Sequence, residues 1–458
     1  MRILLKGGRV VSSAGVLAAD VLIEGETVAA VGKDLDNPGG EIVDCSGKLL
    51  FPGFIDAHTH FDLEVAGTVT ADDFATGSRA ALRGGTTMVV DFSAPDKGDT
   101  LRCGLERWRR KAGGRSLCDY GFHMTIDDWN EGISREIGEM AAEGITSFKM
   151  YMIYPAMMIG EAEIYQALKR LKEVGGIAGV HCENSGIIGA LIEEAKAAGR
   201  MGPGSHPRTR PNPLEAEAVS HLLRIAQMAD TPVIIVHLST REALEEVRAA
   251  RRRGQTVYVE TCPHYLLLED SVYDNPDYLE AAKFVCAPPI RKKADQEALW
   301  EALRRGEIQT VSTDHCSFTL QQKMAGRKDF TKIPGGLPGV EDRGVLLYTA
   351  GVAQGRITLG DMCRVLAENP AKLYGCWPRK GVIAPGSDAD IVVYDPKADT
   401  VLRAADHIQN VDYNPYEGFR TAGSIAQVYL RGRLAVDGGR VLLREGDGAF
   451  IHRHGNML

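Results

Sequence analysis

Several features that would indicate particular classes of protein are missing from this sequence. Its nine cysteines include no Cys-x-x-Cys pair, so neither a disulfide framework nor a cysteine-rich zinc site is indicated. No apolar run approaches a membrane span, and residues 1–6 do not begin the apolar stretch of a signal peptide. We therefore expect reduced thiols, no membrane partner and a cytoplasmic location.

The charge balance excludes a further class of protein. The chain has 53 Lys and Arg against 61 Asp and Glu, a formal net charge of −8. A general nucleic-acid binder would need an excess of basic residues, so we expect no nucleic-acid partner. A content of 44% hydrophobic and 25% charged residues is typical of globular proteins, and 458 residues predict a large domain plus a smaller one.

The two ends of the chain are rich in short β-type runs separated by turns. These runs are residues 3–11, 20–24 and 27–32 near the start, and 389–394, 425–430 and 440–443 near the end. The middle of the chain has a different pattern. We therefore predict that the two ends pair into one small β-domain.

In the middle of the chain, apolar runs alternate with amphipathic helical segments such as residues 160–174 and 240–252. Repeated β-then-α units predict a parallel sheet, because parallel neighbours need a crossover connection. Eight such strands predict a closed (β/α)8 barrel, with an open doubly wound sheet as the alternative. No Gly-rich phosphate loop follows a strand, which argues against a Rossmann arrangement. The predicted strands are residues 49–58, 86–92, 119–125, 146–150, 177–181, 233–237, 256–261 and 309–313.

Residues that can bind divalent metals stand at or just past the ends of five of these strands. The carboxyl ends of barrel strands carry the active site in such folds, so we expect the side chains to converge. His58 and His60 are two residues apart, so on an extended chain they point the same way. The residues predicted to form a metal site are His58, His60, Lys149, His181, His237 and Asp314.

Lys149 is unexpected in such a set, because an ammonium has three donors and no lone pair for a metal. A lysine buried near other cations loses its proton more readily and becomes a nucleophilic amine. It can then react with carbon dioxide to give a carbamate, an anion able to bridge two metals. The alternative, a surface lysine, fits poorly with the apolar sequence SFKMY at residues 147–151.

Five segments resemble a known family. The sequence FPGFIDAHTH at residues 51–60 resembles the opening motif of the amidohydrolase superfamily, and GVIAPGSDAD at 381–390 resembles that superfamily's return into its small β-domain. Three further segments resemble the hydantoinase and dihydropyrimidinase family within it. They are GTVTADDF at 67–74, GITSFK at 144–149, and IPGG at 333–336 followed by GVEDR at 339–343.

The resemblance implies a domain layout and an assembly. It implies a TIM-like barrel over residues 51–378 and a β-sandwich domain built from residues 1–50 and 379–458, the latter including a C-terminal tail. It also implies a homotetramer, with a homodimer as the alternative.

The resemblance also implies a binuclear centre and a reaction. His58 and His60 would bind one divalent metal with Asp314, His181 and His237 would bind the other, and carbamylated Lys149 would bridge them. The metals would be zinc, with manganese as the alternative. A bridging hydroxide would attack the amide carbon of a small cyclic diamide such as a 5-substituted hydantoin, giving an N-carbamoyl amino acid. Asp314 would transfer the proton to the leaving ring nitrogen.

Other residues would bind the substrate. Tyr154 matches the tyrosine that donates a hydrogen bond to the developing oxyanion in this family. Ala287 replaces the serine of the usual Ser-Pro-Pro segment, and Gly335 replaces the asparagine of Ile-Pro-Asn-Gly. Both positions would hold the ring through main-chain groups. Apolar residues, among them Leu63 and Met152, are expected to form a lid that accepts a hydrophobic substituent.

Four relatives give alternative functions. A dihydropyrimidinase acting on dihydrouracil or dihydrothymine differs only in the size of the ring. Allantoinases share the ligands but lack the tyrosine at position 154. Dihydroorotases place an arginine where this chain has Asp62, which would repel a substrate carboxylate. The collapsin response mediator proteins are non-catalytic scaffolds that lack the metal ligands, whereas all six positions are filled here.

Overall fold

The computed structural model describes residues 2–458 and has an eight-stranded parallel barrel at its centre. Each barrel strand pairs with the next one along the chain. The first and last strands meet through a bridge between Thr59 and His315, with His60 N–H donating to the His315 carbonyl at 2.8 Å. The closed barrel is therefore confirmed and the open sheet is excluded. In order, the barrel strands are Phe54–Thr59, Thr86–Ser93, Asp119–Thr125, Ser147–Tyr151, Ile177–His181, Val233–Ile235, Val257–Thr261 and Thr310–Val311.

Helices connect the strands and cover the barrel. The two predicted helices are confirmed as Glu161–Glu173 and Arg241–Arg252, and Thr240 caps the second by accepting from Ala243 N–H at 3.1 Å. The remaining α-helices are Phe74–Arg83, Leu101–Ala112, Glu131–Ala142, Ser185–Ala197, Ser205–Arg208, Asn212–Ala229, Pro263–Leu267, Tyr278–Ala282, Lys293–Arg304, Leu320–Lys323, Arg343–Leu347, Leu359–Cys363 and Asn369–Leu373. Short 3-10 turns are Asp270–Asp274, Met324–Gly326, Phe330–Lys332 and Ala404–Asp406, and Tyr348–Val352 and Arg364–Glu368 are π-helical.

Two further sheets form a β-sandwich from both ends of the chain. Leu49–Pro52 pairs antiparallel with Ile391–Val401, which places Leu50 opposite Val393. The predicted pairing of the two ends is thereby confirmed, while the limits of the predicted domain ranges stay predictions. One sheet contains Thr27–Gly32, Asp20–Glu24, Arg2–Lys6 and Glu41–Asp44, and the other contains Arg440–Val441, Arg433–Asp437, Arg420–Leu430, Ile391–Val401, Leu49–Pro52, Arg9–Ser12 and Gly15–Ala18.

The prediction of one strand over residues 49–58 is wrong. The chain leaves the sandwich at Pro52 and enters the barrel at Phe54, so Gly53 separates two strands. A Cβ at Gly53 would lie 2.1 Å from Thr87 Oγ1, so only glycine fits there. The run looked continuous because both halves are buried. Residues 3–11 likewise divide into Arg2–Lys6 and Arg9–Ser12.

The C-terminal tail packs against the barrel of its own chain. Phe450 forms a bridge with Tyr120, and Ile451 N–H donates to the Tyr120 carbonyl at 2.8 Å. The side chain of Arg453 is fully buried. Its Nη1 donates to Ser147 Oγ at 2.8 Å, and its Nη2 donates to the Phe122 carbonyl. The tail thus ties the third and fourth barrel strands together.

Two smaller features complete the fold. A short hairpin, Glu64–Val65 with Thr68–Val69, follows the carboxyl end of the first barrel strand. Across residues 2–458, none of the helices has the length and apolar character needed to cross a membrane.

Candidate metal centre

The structure brings the six predicted ligand residues together at the carboxyl ends of five barrel strands. Three residues lie within strands or end them, since His58 lies in the first strand, Lys149 lies in the fourth and His181 closes the fifth. The side chain of Asp314 is 15% exposed, and the other five residues are buried. The convergence comes from the barrel, because parallel strands end at one rim.

The distances among four of these side chains fit a bound metal ion. Asp314 Oδ1 lies 3.2 Å from His58 Nε2 and 3.1 Å from His60 Nε2. Ligand atoms of His58, His237 and Asp314 all lie within 4.8 Å of one another. Two buried nitrogens, His58 Nε2 and His237 Nδ1, have no hydrogen-bond partner among residues 2–458. Buried polar atoms are normally paired, so the orphaned nitrogens support a cation at this point.

The histidines predicted to bind a second metal lie beside the first group. The rings of His181 and His237 are 4.5 Å apart between centroids, and the rings of His58 and His237 are 5.4 Å apart. Burial lowers the pKa of His58, His181 and His237. Their neutral imidazoles are the form that binds metals. The donor set therefore fits two adjacent divalent ions.

Lys149 is buried at the centre of the group without a counter-ion. Its Nζ lies 4.9 Å from the centre of the Phe92 ring and 5.1 Å from that of Tyr151. Within residues 2–458 it makes neither an ion pair nor a side-chain hydrogen bond. Burial lowers its pKa, against the carboxylates of Asp314 and Glu260, which raise it. An unpaired buried ammonium is costly, so this position favours a lysine that does not remain a cation.

The carboxylate of Asp314 is held ionised by its surroundings. Burial would raise its pKa, but His58, His60 and His237 hold the pKa well below its usual range. Its backbone has φ = 51°, and that of His237 has φ = 39°. Left-handed conformations of residues other than glycine are strained and concentrate at functional sites. Asp56 supports this turn, since it accepts from Thr313 N–H at 3.1 Å and Thr313 Oγ1 at 2.7 Å.

Glu260 was missed by the sequence analysis, although it contacts a predicted ligand. It lies in the seventh barrel strand, which supplies none of the six residues, and it is fully buried. His58 Nδ1 donates to Glu260 Oε1 at 2.6 Å. That bond leaves Nε2 of His58 facing the site. Carboxylates commonly orient metal-binding histidines in this way. The available signal was a carboxylate inside the otherwise apolar strand at residues 256–261.

Glu183 supports His181 in the same way and was also missed. His181 Nε2 donates to Glu183 Oε2 at 2.7 Å, and Arg210 Nη1 donates to the same oxygen at 2.7 Å. Nδ1 of His181 is thereby left for a metal. The Arg210 guanidinium lies 5.9 Å from the centre of the Tyr154 ring. One network therefore joins His181 to Tyr154.

Tyr154 lies beside His181. Its ring centroid is 5.4 Å from that of His181, and its backbone has φ = 70°. Burial raises the pKa of its hydroxyl, against Arg210, which lowers it. The hydroxyl therefore stays protonated at neutral pH and makes no side-chain hydrogen bond within residues 2–458. It is free to act as a donor.

Of the other predicted substrate residues, two follow barrel strands at the same rim and two lie in segments that are bonded to each other. Met152 follows the fourth strand, and its N–H donates to the His181 carbonyl at 3.1 Å. Leu63 precedes the hairpin after the first strand, and both side chains are half-buried against the main core. The segments of Ala287 and Gly335 are joined, since Gly336 N–H donates to the Val285 carbonyl at 2.9 Å.

Comparison with known proteins agrees with this geometry. The model of the Amidohydrolase family matches residues 49–435. The chain is similar to the D-hydantoinase of Geobacillus stearothermophilus, with 41% identity over 98% of this chain and 96% of that protein. It is also similar to the D-hydantoinase of Streptomyces coelicolor, with 43% identity over 99% of this chain and 98% of the relative. A crystal structure of dihydropyrimidinase from Brevibacillus agri superposes with a TM-score of 0.98, at 41% identity, and covers 100% of this chain and 99% of that one.

Proposed function

The chain belongs to the amidohydrolase family, and from this premise we propose that it hydrolyses the cyclic amide bond of 5-substituted hydantoins to N-carbamoyl amino acids. The relatives named D-hydantoinase support this ring and the D enantiomer. The observation that carries the proposal is the convergence of Asp314 Oδ1 with the Nε2 atoms of His58 and His60, next to the unpaired Lys149.

We propose that two divalent metals occupy this centre. We propose zinc, with manganese as the alternative. His58, His60 and Asp314 would hold one, His181 and His237 the other, and the carbamate of Lys149 would bridge them. When bound, such metals supply an activated water and polarise the amide carbonyl. The buried, unpaired amine of Lys149 supports the bridge, because carbamylation would convert it into an anion among neutral imidazoles.

Asp314 is proposed to carry the proton. Its depressed pKa keeps it ionised at neutral pH, so it can accept a proton from the attacking water. Transfer of that proton to the ring nitrogen makes the nitrogen a neutral leaving group, and the amide bond breaks. The strained turn at Asp314, supported by Asp56, holds the carboxylate in place for both transfers.

Tyr154 is proposed to stabilise the oxyanion that forms when the amide carbon is attacked. Its protonated hydroxyl is a donor, and its ring lies beside both His181 and Arg210. A donor that is already in position costs no reorganisation during the reaction. Ala287 and Gly335 would bind the polar edge of the ring through main-chain N–H and C=O groups.

Leu63 and Met152 are proposed to contact the substituent that is attached to ring carbon C5 of the hydantoin. Both are apolar and half-buried at the rim, where a hydrophobic substituent would cover them. Methionine adapts its shape to different groups, which suits phenyl and branched alkyl substituents alike. These contacts would favour substituted hydantoins over unsubstituted rings.

The assembly and location are also proposals. The family resemblance supports a homotetramer, with a homodimer as the alternative. A cytoplasmic location is supported by the free state of all nine cysteines, eight of which are buried.

The test is a steady-state comparison of metal-replete protein on hydantoin, 5-phenyl- and 5-isopropylhydantoin, dihydrouracil and allantoin. We expect kcat/KM for the substituted hydantoins to exceed that for dihydrouracil by roughly tenfold or more. Equal or faster turnover of dihydrouracil would contradict the ring preference. Absence of turnover on all five compounds would contradict the function itself, and an Asp314→Asn variant provides the inactive baseline.

A further inference from the structure

Another buried lysine lies near the rim of the barrel and is bound in an unusual way. Lys323 ends the short helix Leu320–Lys323, and its side chain is fully buried. Its Nζ donates to three main-chain carbonyls, those of Val285 at 3.0 Å, Pro334 at 2.8 Å and Gly336 at 2.9 Å. Within residues 2–458 it pairs with no carboxylate, whereas buried cations are normally paired.

The three carbonyls match the chemistry of an ammonium group. Burial lowers the pKa of Lys323 to about 7, but the three carbonyl oxygens around Nζ can only accept hydrogen bonds and so favour the protonated amine. A protonated amine has three N–H donors, and each of them finds one acceptor here. The group is therefore fully satisfied by main-chain oxygens, which makes it a cross-link between segments of backbone.

The cross-linked segments are the two that we propose to hold the substrate ring. One is residues 285–289 and the other is residues 333–337. Gly336 N–H also donates to the Val285 carbonyl at 2.9 Å. Leu337 connects the second segment to the metal centre. Its carbonyl accepts from Cys316 N–H at 3.0 Å, and Cys316 is two residues after Asp314.

Within each segment one residue is more exposed to solvent than its neighbours. Ala287 is half-buried and Gly335 is exposed, while the residues flanking each of them are buried. No hydrogen bond within residues 2–458 uses the main-chain N–H or C=O of either residue. A Cβ added at Gly335 would meet no atom within 4 Å, so open space adjoins it. Gly335 therefore stands between two carbonyls that Lys323 holds, and Ala287 stands two residues after the third, that of Val285.

We propose that Lys323 is a positioning residue that fixes the register of the free main-chain groups of Ala287 and Gly335, and so determines how tightly the cyclic substrate binds. The inference rests on the proposed function. Lys323 touches neither the substrate nor the metals. Its loss would leave the two segments free to shift and would weaken binding of the ring in the ground state and the transition state alike. Such a loss raises KM and leaves kcat unchanged.

The test compares Lys323→Met, which keeps the length of the side chain and removes the donors, with Lys328→Met as a matched control. Lys328 is exposed and lies outside both segments. For 5-phenylhydantoin we expect Lys323→Met to raise KM roughly tenfold with kcat within about threefold of wild type. The dissociation constant of the product N-carbamoyl-phenylglycine, measured by calorimetry, should rise by a similar factor. Two metals per chain should remain, and Lys328→Met should match wild type.

An unchanged KM, or a fall in kcat together with loss of metal, would overturn the proposal. Should Lys323→Met fail to fold, Lys323→Arg and Lys323→Gln keep donors at this position. We then expect KM to rise in the order wild type, Lys323→Arg, Lys323→Gln. An equal KM in all three proteins would overturn the proposal. The proposed function fails separately, since wild-type protein without turnover on any hydantoin would refute it whatever Lys323 does.

Discussion

The imidazole of His58 donates from Nδ1 to the carboxylate of Glu260 at 2.6 Å, across 202 residues of sequence. Both side chains are almost completely buried. The bond fixes the ring so that Nε2 points toward Asp314 and His60. Glu260 thus orients a proposed ligand without itself facing the metals.

Glu260→Gln should weaken metal binding. The amide keeps the shape of the side chain but loses the charge that makes the imidazole a better ligand, and such supporting groups are worth about 10- to 100-fold in metal affinity or activity. Elemental analysis after dialysis against a chelator measures the loss. Glu173→Gln, on an exposed helix end, is the control, and full retention of both metals by Glu260→Gln would refute the role.

Tyr154→Phe should lose turnover and keep its metals. One preorganised oxyanion donor is worth on the order of 3 kcal/mol in the barrier, which corresponds to about a 100-fold or larger fall in kcat. Because the raised pKa keeps the hydroxyl protonated, the loss should be the same from about pH 6 to 9. Steady-state kinetics and metal analysis check this, with Tyr165→Phe as the control. Near wild-type kcat would exclude Tyr154 from the mechanism.

Removal of the metals should abolish activity reversibly. After chelation, zinc or manganese together with bicarbonate should restore turnover, whereas metal without bicarbonate should restore less, because the Lys149 carbamate must form again. Carbon-13 bicarbonate should give a carbamate resonance in wild-type protein and none in Lys149→Met. Lys169→Met, an exposed lysine, should keep the resonance. A metal-loaded, active Lys149→Met variant would contradict the bridge.

Arg453→Met should destabilise the fold. The guanidinium bonds to Ser147 and to the Phe122 carbonyl inside the protein, and loss of buried bonds to a charged group costs about 2 kcal/mol in the free energy of unfolding. Urea denaturation at a fixed protein concentration measures the change. His452→Gln, in the exposed part of the same tail, is the control. Equal stability of both variants would show that the tail does not brace the barrel.

Much of the fold could be predicted because its signals are local. Apolar runs and amphipathic periods depend on neighbouring residues, so the alternation of strands and helices predicted a barrel that the structure confirms. The break at Gly53 was missed, because residues on both sides of it are buried and their hydrophobic pattern does not change there. Which sheet each half joins depends on Thr87 and on partners elsewhere in the chain.

The proposed metal ligands could be predicted from the sequence for the same reason. His58, His181 and Asp314 stand at strand ends, and strand ends of a parallel barrel meet at one rim. The residues that support them were not visible. Glu260 bonds to His58, which lies on another barrel strand, and Glu183 bonds to Arg210, which lies in a later segment of the chain.

The sequence by itself determined the barrel, the β-rich ends and the six residues at the strand ends, because period and strand order are properties of the chain. The tertiary structure decided which buried charges support the site. Lys149, Lys323 and Arg453 are all buried basic residues, yet the first lies unpaired among imidazoles, the second binds three carbonyls and the third braces two strands. The difference arises because the role of a buried basic group depends on the atoms around it, and those atoms come from distant parts of the chain.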